Sequence, residues 1–258
     1  MSENLLSSLN ESQKIAAQHI DGPLLILAGA GSGKTKTITT RLAYLISIGI
    51  DPRSILTLTF TNKAASEMRE RAFNMLDSSQ INTPPLLCTF HKFGLLFLKF
   101  HMSELGRKNN FIIIDTDDKK RILKSFDKEI TTSLLVSEIS KYKNSLLTPA
   151  EAKAAAQLKL YQEIADIYEQ YEAYLEKNNL VDFDDLLLLP YKILKNNEKL
   201  AEETSKKYQY IMVDEYQDTN ELQYRLLRLL SSSHNNLCVV GDDDQSIYGW
   251  RGATIKNI

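Results

Sequence analysis

This chain is short of the features that mark secreted, membrane-spanning or strongly basic proteins. Cysteine is scarce: Cys88 and Cys238 are its only two, lie far apart and form no CxxC pair. That argues against both a zinc site and a disulfide framework. No apolar run approaches the ~20 residues that cross a bilayer. The N-terminus, MSENLLSSLNESQ, has neither the basic region nor the apolar core of a secretory signal. A reducing cytoplasm is therefore the expected compartment, with no membrane association. Basic charge is not in excess either. Lys and Arg number 31 against 33 Asp and Glu, a formal net charge of −2. Any surface for a polyanion must then be local, or be completed by residues elsewhere. There is no internal repeat and no low-complexity linker. The rest is ordinary: 43% hydrophobic and 25% charged residues, over 258 positions, enough for one large domain or two small ones.

The most informative stretch is Ala28–Thr35, AGAGSGKT. It lies between Leu24–Leu27, which predicts a short buried strand, and Thr37–Ile46, which predicts a helix. A glycine-rich turn between strand and helix points backbone N–H groups at one spot, where the helix dipole also favours negative charge. Lys34 adds a point charge for β- and γ-phosphates, and the Thr35 hydroxyl can ligate Mg²⁺. The strict phosphate-loop pattern has Gly where Ala28 stands, so the match is to a relaxed form. For this motif alone an ordinary glycine loop is the competing reading.

Further apolar runs at Ile55–Phe60, Leu86–Thr89, Tyr210–Asp214 and Leu237–Gly241 lack alternation, which predicts strands of a parallel sheet covered on both faces. Helices are expected over Asn62–Leu76, Lys92–His101 and Asn220–Leu230, the last with Thr219 or Asn220 as its N-cap. Strand-then-helix repetition implies right-handed crossovers and a doubly wound α/β domain. From about Asp117 to Lys207 strand signals all but vanish, and Ala150–Lys177 reads as a long helical stretch. Its stripe of Leu158, Tyr161, Ile164, Ala165, Tyr168, Tyr171 and Leu175 could stack bases or pack helices; packing is the expected use. An all-helical insertion interrupting an α/β domain accounts for both patterns.

Two strand ends carry chemistry. Val213-Asp214-Glu215 places two acids at the edge of a parallel sheet where ligands bind. The first can hold Mg²⁺ and the second can activate water. Val239–Gln245 (VVGDDDQ) repeats the layout, and the Gln245 amide suits sensing a γ-phosphate. Asp242, Asp243 and Asp244 read as a solvated turn, and none is assigned a metal.

Seven blocks, in order along the chain, resemble the superfamily 1 DNA helicases of the Rep, PcrA and UvrD group, the Rep branch in particular. They are Leu9–Ala17, Ala28–Thr35, Thr57–Arg71, Thr89–Gly94, Val181–Leu187, Val213–Asn220 and Val239–Ala253. The resemblance implies a RecA-like P-loop NTPase sheet with helices on both faces. This domain would be built from residues 1–110 and 208–258, around a helical insertion at 111–207. The resemblance also implies ATP and Mg²⁺ as cofactors. ATP would be held by Gln13, Ala28, Gly29, Ala30, Gly31, Ser32, Gly33, Lys34, Thr35 and Lys36, with Gln13 on the adenine. Lys36 stands where the family commonly has Arg, which loses a planar stacking group. Thr35 and Asp214 would hold Mg²⁺; Glu215 would be the general base, and Lys34 and Gln245 would serve catalysis. Single-stranded DNA would meet Phe60, Thr61, Asn62, Thr89 and His91, with Phe183 from the insertion and Tyr248, Trp250 and Arg251 stacking on bases. A packed core position is the competing reading for His91 and Phe183.

The resemblance further implies a second RecA-like domain outside these residues, supplying arginines to the γ-phosphate. The chain is thus expected to be the N-terminal half of a 3′→5′ translocase, monomeric and nearly inactive alone. Duplex junctions and replication or repair proteins are its expected partners. Two other readings stay open: the helicase subunit of a recombination nuclease complex, and a non-hydrolysing nucleotide- or DNA-binding module. Presence of Lys34, Asp214 and Glu215 speaks against the module. A P-loop kinase would leave Tyr248–Arg251 unexplained.

Overall fold

The computed structural model describes residues 5–29, 31–76 and 83–242. The chain divides into two compact units. One draws its described residues from Met1–Phe93, Asn197–Thr219 and Leu227–Ile258, the other from Gly94–Asn196 and Asn220–Leu226.

In chain order the first unit opens with α1 (Glu11–Gln18), β1 (Leu24–Leu27), α2 (Lys34–Ser47), β2 (Ile55–Thr59), α3 (Asn62–Asn74) and β3 (Leu86–Thr89); the next helix, α4 (Phe90–His101), begins in the first unit and from Gly94 belongs to the second. The second unit then brings β4 (Ile112–Ile113), α5 (Thr116–Phe126), α6 (Thr132–Asn144), α7 (Pro149–Ala155), α8 (Lys159–Lys177), β5 (Leu180–Val181) and α9 (Asp185–Asn196). The chain closes with α10 (Glu198–Lys207), β6 (Tyr210–Val213), α11 (Glu221–Leu230) and β7 (Leu237–Gly241).

Among the described residues, five strands form one parallel sheet in the order β1-β7-β6-β2-β3. β2 and β6 are buried at every position, as their unbroken apolar runs predict. Ile38, Leu42 and Leu45 of α2, with Met68 and Ala72 of α3, pack on Ile55, Met212 and Val240. Each fully buried Leu or Ile of this kind contributes about 1.5–3 kcal/mol relative to exposure. β1 departs from expectation. It alternates: Leu24 and Ile26 pack on the core, while Leu25 is 40% and Leu27 46% exposed on the other face of this edge strand. Local signals set the helix starts. The Thr61 side chain caps α3 by accepting from the Ala64 N–H. Asn220 and Gln223 exchange reciprocal side-chain-to-backbone bonds at the start of α11.

The second unit is helical apart from the two-residue parallel pair of β4 with β5. The expected helix over Ala150–Lys177 is in fact two helices, broken at Ala156–Leu158, where Ala156 and Leu158 are extended. Thr148 and Glu151 form a capping box that starts α7 with Pro149 in its first turn. The break lets Ala152 of α7 and Ile164 and Ala165 of α8 reach the same core. The tyrosine stripe is a packing face: Tyr168 and Tyr171 are fully buried. The Tyr168 hydroxyl donates to the Leu147 carbonyl and that of Tyr171 to Asp182.

A buried ion cluster lies at the start of α9. Lys143, with no exposed side chain, meets Asp182 at 3.1 Å, Asp185 at 2.8 Å and Glu172 at 2.7 Å. Lys119 bridges Asp182 and Asp184, each at 3.0 Å. Burial would lower the Lys143 ammonium, but Asp185, Asp182 and Glu172 outweigh it and hold the group well above its usual range. Burial and the neighbouring Asp182 push Asp185 up. Asp182 is opposed by burial, yet Lys143 and Lys119 keep it below the usual carboxylate range.

Gly94 makes the closest backbone approach in this unit. A Cβ on it would sit 1.6 Å from the Leu186 carbonyl oxygen. Pro190, inside α9, stands four residues after Leu186 and has no N–H to occupy that carbonyl. The Leu186 oxygen lies against the Gly94 α-carbon, as in a Cα–H···O contact.

Candidate functional site

In a parallel sheet all strand ends of one sense fall on one edge. Leu27 pairs with Gly241, Val213 with Val239 and Leu58 with Val213. The turn after β1, the acids after β6 and Asp242 after β7 therefore share that edge.

The loop after β1 has the geometry its glycines permit. Gly31 and Gly33 have positive φ, 74° and 86°, and Gly33 is the N-cap of α2. The Ala28 N–H donates to the Gly241 carbonyl at 3.2 Å, stitching the loop to β7, and Ser32 N–H closes a turn onto the Gly29 carbonyl. Lys34, first residue of α2, folds its Nζ back to the Ala28 carbonyl at 2.8 Å. Thr35 and Lys36 follow in the first turn, with the Lys36 ammonium donating to the Ser8 carbonyl. Gln13 arrives from α1, where Asn10 and Gln13 form a capping box, and its Nε2 donates to the Ser32 carbonyl at 2.9 Å. Buried Arg41 of α2 holds α1 in place by donating to the Ala16, His19 and Ile20 carbonyls. Ala30 lies outside the described residues.

Asp214 is buried and accepts from the Glu215 N–H at 3.0 Å. Burial pushes its carboxyl up to about 6, helped by the Glu215 charge; the Glu215 N–H and Lys34 pull the other way. Such a carboxylate gains from a cation beside it. Mg²⁺ is usually bound by one or two carboxylates plus substrate phosphates, and Asp214 with the Thr35 hydroxyl fits that donor set. Glu215 has left-handed backbone, φ 56° and ψ 44°, and its carboxylate accepts from Gln217 Nε2.

Asp242 corrects the sequence reading. It is no solvated turn residue: it is buried, and its Oδ2 meets Lys34 Nζ at 2.8 Å. The pattern of strand, glycine and acid after β7 carried that signal. Gln217, also unassigned from sequence, links Glu215 to the Asp242 N–H.

The positions expected to meet DNA divide between the units. In the first, Phe60 stacks at 5.4 Å centroid separation on Phe90, Asn62 is exposed, and Thr89 Oγ1 accepts from the Lys92 N–H. Thr61 is occupied as a helix cap, and His91 is half-buried rather than core. In the second, Phe183 is 60% exposed, so it is not a core residue. It borders a cavity of about 450 Å³ with Ile113, Thr116, Lys119 and Val136. Gln245, Tyr248, Trp250 and Arg251 lie outside the described residues. No described helix is long and apolar enough to cross a membrane.

A glycine turn capping a helix, a lysine folded over it and an acid pair on the adjoining strand end define a P-loop nucleotide-binding domain of the α/β class. The UvrD/REP helicase N-terminal domain family matches residues 9–258, and the chain belongs to that family. It is 45% identical over 258 residues to the ATP-dependent DNA helicase Rep of Buchnera aphidicola subsp. Acyrthosiphon pisum, covering 97% of this chain and 40% of the relative. It is 43% identical to a probable DNA helicase II homolog of Mycoplasma capricolum, covering 99% and 37%. To the ATP-dependent DNA helicase PcrA of Staphylococcus aureus it is 42% identical, covering 98% and 36%. The chain thus spans about two-fifths of the length of these relatives.

Proposed function

We propose that this chain is the ATP-binding portion of a DNA helicase that couples ATP hydrolysis to movement along single-stranded DNA. The observation that carries the reading is the single sheet edge that gathers Lys34, Asp214, Glu215 and Asp242. Lys34 and the N–H groups of the loop would bind phosphate, Thr35 and Asp214 would hold Mg²⁺, and Gln13 would lie beside the adenine. Bound Mg²⁺ would neutralise charge on the β- and γ-phosphates. Glu215 takes a proton from water as its oxygen bonds to the γ-phosphorus and the bond to the β,γ-bridging oxygen breaks, releasing ADP. Gln245 would report phosphate to the DNA side. Phe60, Thr61, Asn62, Thr89 and His91 would follow the strand; Phe183 would add a stacking ring, as would Tyr248, Trp250 and Arg251. A second RecA-like domain would supply the arginines that stabilise the transferring phosphoryl group, an effect of about 10³–10⁵ in rate. Movement would run 3′→5′, in the cytoplasm, at DNA junctions met in replication or repair.

The test uses the full-length protein that carries this chain. ATP hydrolysis should rise on adding single-stranded DNA, and Glu215→Gln should abolish it while ATP still binds. A duplex with a 3′ tail should be unwound and one with a 5′ tail should not. Hydrolysis indifferent to DNA would sink the reading. Trp250, the only tryptophan, should be quenched on DNA binding, and Trp250→Ala should cost about tenfold or more in affinity.

A further inference from the structure

The Gln217 carboxamide is engaged at both ends. Its Nε2 donates to Oε2 of Glu215, and its Oε1 accepts from the Asp242 N–H at 3.1 Å. These partners follow different strands, β6 and β7, paired side by side through Val213 and Val239. Asp242 in turn holds Lys34. We propose that Gln217 is a positioning residue for hydrolysis, fixing the Glu215 carboxylate relative to the phosphate-binding lysine. The proposal rests on the reading of Glu215 as the base that takes a proton from water.

Three features support it. First, the Glu215 backbone N–H is used on Asp214, so its side chain is oriented by what the carboxylate touches. An untethered glutamate would sample several rotamers, whereas a general base must sit within hydrogen-bond reach of one proton. Second, the platform is stiff. Gln217 lies in a single 3₁₀ turn, Tyr216–Asp218, closed by the Asp218 N–H on the Glu215 carbonyl and anchored by buried Tyr216. Third, the amide can point only one way. Turned over, it would set its NH₂ against the Asp242 N–H and its oxygen against a carboxylate. The Asp242 N–H thus dictates that Gln217 presents a donor to Glu215. Base and lysine are referenced to one residue, Asp242, one through its backbone and the other through its carboxylate.

The experiment is steady-state ATP hydrolysis by the full-length protein with saturating single-stranded DNA and Mg²⁺-ATP. Gln217→Ala should lower kcat about tenfold or more, with KM for ATP and affinity for a fluorescent ATP analogue within about twofold. Gln217→Met keeps the volume and loses the donor, and should lose as much. If Glu215→Gln is inactive while both Gln217 variants keep full kcat, the positioning role is wrong and the base reading stands. Turnover surviving Glu215→Gln would remove that reading and this proposal with it. A raised KM with weakened binding of the ATP analogue would mark Gln217 as merely structural and overturn the proposal.

Discussion

Asp214 shows what burying a single carboxyl group does to stability. Its carboxyl titrates near 6 in the fold, chiefly through burial, against about 3.9 in an unfolded chain. The folded state therefore binds the proton more tightly. The stabilisation this gives is fully present below about pH 4 and is lost as pH rises through 6. At neutral pH the ionised, buried group is a liability that Asp214→Asn removes. Denaturant melts should show Asp214→Asn more stable than the parent by about 1–3 kcal/mol at pH 7.5, with the gap closing by pH 4. An equal gap at both pH values would deny the shift. Cys88 and Cys238 are buried thiols in which burial outweighs the pull of Arg69 and Lys92 on the first and of Arg41 on the second. Burial pushes each up to about 11, so little reactive thiolate forms. A thiol-reactive dye should label neither until the protein unfolds.

At the scale of elements, α4 and α9 meet where two unhelpful residues complement each other. Gly94 weakens a helix and Pro190 leaves a carbonyl without its donor, yet the freed Leu186 oxygen occupies the space a Cβ would fill. Gly94→Ala should cost about 3 kcal/mol or more, because backbone must move. The cost should fall in a Pro190→Ala background, where residue 190 regains an N–H that draws the carbonyl inward. A double-mutant cycle by urea denaturation reads that coupling directly. Lys143 offers a second check. Lys143→Met leaves buried Asp182 and Asp185 and half-buried Glu172 without their shared cation, a loss of about 3–5 kcal/mol.

Elements of this kind also show where sequence reasoning succeeds and where it stops. The boundaries of β1, β3 and β7 are legible because unbroken apolar runs end in glycine, threonine or acid. The same runs say nothing of strand order, so the exposure of Leu25 and Leu27 on an edge strand could not be read. The gap between α7 and α8 was invisible, since Ala156, Gln157 and Leu158 are all acceptable in a helix and only the shared core of Ala152, Ile164 and Ala165 distinguishes two helices from one. In the site, the spacing of Gly31, Gly33 and Lys34 announces the loop, and Asp214 and Glu215 announce the acid pair. Asp242 and Gln217 stayed hidden because Asp242 reaches Lys34, and Gln217 reaches Asp242, from distant parts of the chain that spacing alone does not bring together.

For the molecule as a whole, the sheet order has a consequence for how the protein comes into being. β1, the first strand made, takes its partner from β7, the last in the described chain. Gly22 at its entrance bonds Asn236 across 214 residues. Closing so long a loop is entropically costly and slow. In refolding followed by pulsed hydrogen exchange, amides of β1 should gain protection after those of β2 and β3, which pair across a much shorter span. On a ribosome the delay is imposed by synthesis itself. At 5–20 residues per second, the strand that leads into the phosphate loop waits roughly 10–40 s for its neighbour to be made. A nascent chain of this protein therefore carries an unpaired Leu-Leu-Ile-Leu segment until β7 has been made, a natural target for a chaperone that holds apolar strands.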